Sequence, residues 1–307
     1  MNETHGAPGH SHPHPPDDPS GHPRLGFIGA GRVACALGVA FARAGWPVAA
    51  VASRDEANRA RFLELVPGAH AAPSVAAIAD DVDLIFVTVP DDAVADVAAR
   101  LRLYAGQAAV HTSGALDSTI LEPARAAGTQ LGSFHPMVAF ANQEAAVRAL
   151  PEATIAVEGD AELVSLLARL ATDIGAQPVR LPPTGKTAYH AAAVLAGGGV
   201  IGLLDGVAEV ARGAGLDEAG ALAIYVPLIR QALTNAEAMG IGEALTGPFV
   251  RGDVGTIRNH LAAMSRLAPG ALEMYRSTAQ RELELALARG AIDEAQAAPL
   301  RALLDER

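Results

Sequence analysis

The chain has 307 residues, 50% of them hydrophobic and 19% charged, and a formal net charge of −11. That length supports one large domain or two ordinary ones around a sizeable core. The acidic balance and the absence of a basic stripe exclude a nucleic-acid binder, while an anionic cofactor can still be held by local backbone N–H groups. No apolar run long enough for a bilayer is free of Gly, Pro or charge, and Met1-Asn2-Glu3-Thr4 lacks a secretory layout, so no membrane partner is expected. The one cysteine, Cys35, precludes an internal disulfide and fits a reducing, cytoplasmic compartment.

Residues 1–24 are rich in His, Pro, Gly and Asp and are expected to be a disordered tail. His5, His10, His12, His14 and His22 imply no fixed ligand geometry; a metal-scavenging tail is the alternative, and no metal site is expected. Leu25–Ile28 reads as a strand, followed by a helix to about Ala44 and a second strand at Val48–Ala52. Leu84–Val89, Ala108–His111 and Leu131–Phe134 read as further strands, and Thr154–Val157 and Pro178–Leu181 as shorter ones flanking a helix at 161–174. Strands alternating with helices predict an α/β Rossmann-type parallel sheet over 25–182. From 183 to 307 the pattern turns mostly helical, which predicts a second domain for substrate binding or dimerisation. Gly197-Gly198-Gly199 within that helical pattern points to close approach of a ligand or a partner helix.

Gly29-Ala30-Gly31-Arg32-Val33-Ala34 fits G-x-G-x-x-A directly after a strand and at the start of a helix. Gly29 permits the tight turn, Gly31 lets a pyrophosphate approach the backbone, and Ala34 allows close helix–strand packing. The second strand ends Val51-Ala52-Ser53-Arg54, with no carboxylate at its tip. Ser53 and Arg54 suit a 2′-phosphate, so NADP(H) is expected as cofactor over NAD(H). The alternative leaves Arg54 solvated and gives the ribose to Asp55.

Three segments follow strand ends, where ligands gather in an open α/β sheet. Val89 and Pro90 are expected to line the nicotinamide side, with Asp91 and Asp92 capping the next helix. His111-Thr112-Ser113-Gly114 and Gly132-Ser133-Phe134-His135 each bring an imidazole and hydroxyls, giving His111, Ser113 and His135 as candidates to bind and polarise a substrate. Reading the rows gives 22 arginines and one lysine, Lys186. A lysine surviving such a bias marks a place that needs an ammonium able to exchange its proton, which a guanidinium cannot do. Lys186, Tyr189 and His190 share a helix face, so Lys186 and His190 are candidate proton donors, with substrate-carboxylate anchoring as Lys186's other possible task. Arg251, in Thr246-Gly247-Pro248-Phe249-Val250-Arg251-Gly252-Asp253, is a candidate for an anionic substrate group, and Asp253 a helix cap.

The motifs GAGRVA, TVPDDAV, HTSGALD, GSFHPMVAF, KTAYHAAAV and LTGPFVRGD together resemble oxidoreductases that join a Rossmann-like NADP-binding domain to a C-terminal helical domain of unknown function. That family is similar to a wider group including pyrroline-5-carboxylate reductase, ketopantoate reductase, 6-phosphogluconate dehydrogenase, hydroxyisobutyrate dehydrogenase and prephenate dehydrogenase. The resemblance implies hydride transfer between NADP(H) and a small carbonyl, imine or hydroxy acid, a cleft between the domains, and a homodimer through the helices. It also implies that Lys186 stands near the lysine those dehydrogenases use, while Gly198 replaces the asparagine expected about twelve residues further on. Two other readings stand beside it: a non-catalytic NADP(H) sensor, and a deazaflavin-dependent NADP oxidoreductase.

Overall fold

A computed structural model describes residues 21–306. Residues 1–20 of the expected tail, with His5, His10, His12 and His14, therefore lie outside the described residues, while His22 stacks on Trp46 with ring centroids 4.1 Å apart. The chain divides into two compact units, one running to Val194 and the other spanning Leu195–Arg307.

In the first unit the elements run β1 (Leu25–Ile28), α1 (Arg32–Arg43), β2 (Val48–Ala52), α2 (Glu56–Leu65), β3 (His70–Ala71), β4 (Leu84–Val87), α3 (Val94–Arg100), β5 (Ala108–His111) and β6 (Gln130–Pro136). They continue through α4 (Gln143–Ala149), β7 (Thr154–Gly159), α5 (Ala161–Asp173), β8 (Gln177–Arg180) and the opening turns of α6 (Lys186–Gly213). The eight strands form one sheet in the order β3-β2-β1-β4-β5-β6-β7-β8. The predicted α/β Rossmann-type sheet is present, with β1 to β6 parallel.

One strand departs from the parallel expectation: β7 runs antiparallel to β6, and β8 follows β7 in parallel. The connection explains the reversal. Pro136, at the end of β6, pairs with Ile155 near the start of β7, so the chain re-enters the sheet at the end it has just left. A parallel neighbour would require a crossover along the sheet's full length.

Both sheet faces are covered, as the apolar strands require. One face packs Phe27, Phe41, Phe86 and Phe134 into a ring cluster under α1, with Phe27 and Phe86 stacked at 5.2 Å. Burying each such ring stabilises the fold by roughly 1.5–3 kcal/mol. The other face packs Ile28, Ile85 and Val87 against Val97 and Leu101 and against Leu121 of a 3-10 turn, Ser118–Ala124.

On that second face the register aligns one residue from each of six strands. Ala52, Ile28, Val87, His111, Ser133 and Glu158 stand side by side in that order. The row is apolar over β2, β1 and β4 and turns polar over β5, β6 and β7. Its polar members are all buried, at 0%, 1% and 4% exposure.

The second unit holds the rest of α6, then α7 (Glu218–Met239), α8 (Ile241–Ala244), α9 (Val254–Leu267), α10 (Leu272–Ala288) and α11 (Glu294–Asp305), with no strand among its described residues. Its core gathers Phe249, Ile257, Leu261, Leu283, Leu300 and Leu304. Asp253 caps α9 as expected, accepting from Thr256 N at 3.0 Å. The unit boundary falls inside α6 rather than at the prolines before it, because Lys186 at the head of the helix is buried against the sheet.

The segment Pro183–Gly213 contains an 18-residue window of mean hydropathy 1.8, and 11% of that window is buried. By length and composition it is apolar enough to cross a bilayer. The expectation that Gly, Pro or charge breaks every apolar run of that length fails here, because glycine only modestly lowers a mean hydropathy.

Candidate active site

The glycine loop after β1 has the form a pyrophosphate needs. Gly29 has φ +96°, and a Cβ there would lie 2.7 Å from the Thr88 carbonyl oxygen, so any side chain would collide with β4's continuation. A Cβ on Gly31 would meet nothing within 4 Å. α1 starts at Arg32 with no side-chain cap and no acidic residue in its first turn. Its first N–H groups and the positive end of its dipole are thus left for an anion. Ala30 and Ala34 are buried, Val33 is half-buried, and exposed Arg32 donates to the Ala141 carbonyl oxygen at 3.1 Å. Val89 lies beside Gly29, and Pro90 is exposed.

At the tip of β2, Ser53 is half-buried and Arg54 exposed. Asp55 is occupied elsewhere: it caps α2, accepting from Asn58 N and Nδ2, both at 2.9 Å. That engagement removes the support for Asp55 as a ribose ligand. Arg59, one turn into α2, donates to the Ser53 carbonyl oxygen at 2.7 Å, bringing a second guanidinium to the tip. Sequence reasoning missed Arg59. Only Phe62 of α2 is buried, so no apolar periodicity revealed the helix that carries it.

Around the polar end of the row, the segments beyond β4, β5 and β6 converge with the start of α6. The Lys186 ammonium is 2% exposed and donates to Ser133 Oγ at 2.6 Å and to the Ser113 carbonyl oxygen at 3.3 Å. Burial lowers its pKa from the usual 10.5 to about 8, against the opposing pull of Glu158, Asp117 and Asp91.

His111 is fully buried with both nitrogens engaged. Nδ1 accepts from Ser113 N at 3.2 Å and Nε2 donates to the Asp117 carbonyl oxygen at 3.1 Å, which fixes one neutral tautomer. Burial and the Lys186 charge push its pKa down to about 4. The candidate substrate ligand therefore has no free nitrogen, and the ring braces the end of β5. Ser113 is similarly occupied. Its hydroxyl donates to Asp91 Oδ2 at 2.8 Å and accepts from Ala115 N and Leu116 N at 3.2 and 3.1 Å. Asp91 thus ties two loops together, and neither it nor Asp92 caps a helix; the N-cap of α3 is Ala93, which has no side-chain cap bond.

His135 and His190 stand with ring centroids 5.8 Å apart, and Tyr189 lies 5.9 Å from His135. His135 Nδ1, His190 Nδ1 and Tyr189 Oη are buried and have no protein partner. Burial, then Lys186 and His190, lower the His135 pKa to about 4, so this ring too is neutral near pH 7. A Cβ on Gly114 would lie 2.5 Å from His190 Nδ1 and 2.7 Å from His135 Nε2, so glycine there makes room for both imidazoles. Arg251 lies exposed in the other unit, in a short 3-10 turn, Phe249–Arg251. Among the described residues no cluster of three or more His, Cys, Asp or Glu could hold a metal.

The first unit is therefore a Rossmann-type nucleotide-binding fold with a buried lysine at the ligand end of its sheet. Residues 15–136 match the Rossmann-like domain model, and residues 153–282 match a domain of unknown function, DUF2520. The chain joins those two domains. Comparison with curated proteins gives no match. Among solved structures, a protein of Bacteroides fragilis provisionally assigned as an NADP oxidoreductase is similar at 22% identity and a TM-score of 0.72, covering 86% of this chain and 98% of its own. Protein TM1727 of Thermotoga maritima is 25% identical, with a TM-score of 0.67 and coverage of 86% and 99%. A reductive aminase of Aspergillus terreus, solved with NADPH and ethyl-5-oxohexanoate, is 19% identical, with a TM-score of 0.65 and coverage of 92% and 99%. At these identities the likeness establishes the fold.

Proposed function

We propose that this chain is an NADP(H)-dependent oxidoreductase of a small carbonyl, imine or hydroxy acid. The observation that carries the reading is Lys186: the chain's single lysine is buried at the strand ends of a Rossmann sheet, with a proton affinity lowered into the range of ready exchange. The fold it shares with a reductive aminase solved with NADPH supports the cofactor class.

The residues present fit that cofactor. Gly29 and Gly31 leave the pyrophosphate its space, the uncapped start of α1 supplies N–H donors, and Ser53, Arg54 and Arg59 hold the 2′-phosphate. The cofactor supplies the hydride; the protein supplies binding, orientation and a proton. Lys186 Nζ gives that proton to the substrate's oxygen or nitrogen in reduction and takes it back in oxidation. His135 and His190, with nitrogens not otherwise bonded, orient the reacting group. His111 and Ser113 hold the loop whose carbonyl oxygen fixes Lys186.

The helical unit works as a homodimer in this reading. Leu195 and Ile201 on α6 and Ile224, Leu228 and Leu233 on α7 are 53% or more exposed, large apolar side chains on two helices whose burial by a partner would be favourable. Burial by a second copy fits a protein of the cytoplasm better than burial by lipid, since α6 begins at the buried Lys186.

Calorimetric titration with NADPH and, separately, NADH tests the cofactor assignment. Tighter NADPH binding, lost in Ser53→Asp combined with Arg54→Ala, is the expected result. Failure to bind either nucleotide overturns the reading. Binding without oxidation of NADPH by any compound in a carbonyl and imine panel favours a non-catalytic sensor.

A further inference from the structure

Glu158 belongs to none of the motifs in the sequence, yet it is 4% exposed at the β7 end of the site's polar row. Its carboxylate is held at both oxygens by one residue: Oε2 accepts from Ser118 N at 2.9 Å, and Oε1 accepts from Ser118 Oγ at 2.6 Å. Ser133 stands opposite Glu158 in the β6–β7 register and donates to Oε2 at 3.3 Å. Ser133 Oγ in turn accepts from Lys186 Nζ at 2.6 Å. The hydrogen bonds therefore run in one direction, from ammonium to hydroxyl to carboxylate, through residues each less than 5% exposed.

That direction has a consequence for Lys186. A serine hydroxyl has one proton. With that proton drawn toward Glu158, Ser133 turns a lone pair to Nζ, which binds an ammonium more strongly than a neutral amine. Without the carboxylate the hydroxyl is free to rotate and donate to a neutral Nζ.

We propose that Glu158 is a positioning residue for Lys186, holding its Nζ in place and raising its proton affinity through Ser133. The anchoring of Glu158 by Ser118 makes the 3-10 turn Ser118–Ala124 part of the same device. Other groups also face Lys186: Asp91 from the loop after β4, His111 from β5, Asp117 from the turn, His135 from β6 and His190 one helical turn along α6. His111 and His135 are neutral near pH 7, and Asp91 and Asp117 lie on exposed or half-exposed loops. Glu158 is the one buried carboxylate of the set. The catalytic meaning of the device rests on the proposed proton transfer by Lys186; its physical effect does not.

The single lysine makes a direct test possible, because protein labelled with ¹⁵N-lysine gives one Nζ resonance. Its chemical shift followed against pH reads the midpoint for Lys186 in the folded, cofactor-free protein. In wild type the midpoint is expected near 8. In Glu158→Gln, which keeps the shape of the side chain, it should fall by about one unit or more, a tenfold loss of proton affinity. Ser133→Ala leaves Glu158 on Ser118 and breaks only the relay; it should also lower the midpoint, and it serves if the glutamine variant does not fold. A midpoint within a few tenths of a unit of wild type, in a folded variant of either kind, overturns the proposal. Calorimetry with NADPH on the same samples keeps the cofactor question separate, since neither substitution touches the nucleotide loop.

Discussion

Protonating His111 should cost this protein a defined part of its stability. In the native state Nδ1 accepts the Ser113 N–H, and Nε2 donates to Asp117. A second ring proton would face that N–H donor directly, in a buried site beside the Lys186 charge. The folded pKa accordingly drops from 6.5 to about 4. Between those two values the unfolded chain binds a proton that the native state refuses, so stability declines as pH falls from about 6.5 and the decline ends near 4. At ~1.4 kcal/mol per pH unit, that gap amounts to about 3 kcal/mol. The assay is urea unfolding of wild type and His111→Gln at several pH values between about 7 and 4. The variant should start less stable, through lost hydrogen bonds, and the two curves should converge by about 3 kcal/mol on acidification. His135 and the carboxylates titrate in both proteins and drop out of the difference. Curves that stay parallel would refute the argument, because they would mean that His111 accepts its proton as easily in the native state as in the unfolded one.

Gly114→Ala should destabilise the protein by about 1–3 kcal/mol, because its Cβ overlaps both imidazoles; unchanged urea midpoints would mean the rings have room to retreat. Lys186→Ala should lower kcat by at least ~100-fold on any substrate found, with NADPH affinity preserved, since Nζ is the proposed proton donor and does not touch the glycine loop; retained kcat would remove Lys186 from the chemistry. Sedimentation equilibrium should give a dimer for wild type and a monomer for Ile201→Glu combined with Leu228→Glu, because both side chains lie on exposed apolar faces of the helical unit. A monomeric wild type would count against the homodimer.

The strands of the first unit were legible because a sheet covered on both faces demands short, continuous apolar runs, and Leu25–Ile28 and Ala108–His111 have that form. The glycine loop was legible because its geometry is written in residue types. Strand direction was not: Thr154–Gly159 has the same apolar run whether it joins the sheet parallel or antiparallel. Glu158 was hidden for a related reason. It lies 25 residues from Ser133, and only the pairing of β6 with β7 sets the two side by side. His111 illustrates the opposite failure. Residue type marked it as a ligand, whereas its two hydrogen bonds make it a brace, and no local pattern separates those roles. Lys186 was found through composition, the one signal that survives without knowledge of the fold.

The polar half of the transverse row has a cost for anyone seeking a hardier version of this protein. Six neighbouring strands offer the same kind of interior position, and three of them fill it with histidine, serine and glutamate. Replacing a buried, hydrogen-bonded charge network with well-packed hydrocarbon is often neutral or favourable for folding. Selection for heat resistance alone, or design toward an idealised sheet, would therefore drift toward hydrocarbon at positions 111, 133 and 158 together with Lys186, because an ammonium left buried without its partners is costly. The product would melt higher and lack its lysine. Thermal screening of variants would rank such changes as improvements unless an activity measurement runs beside it.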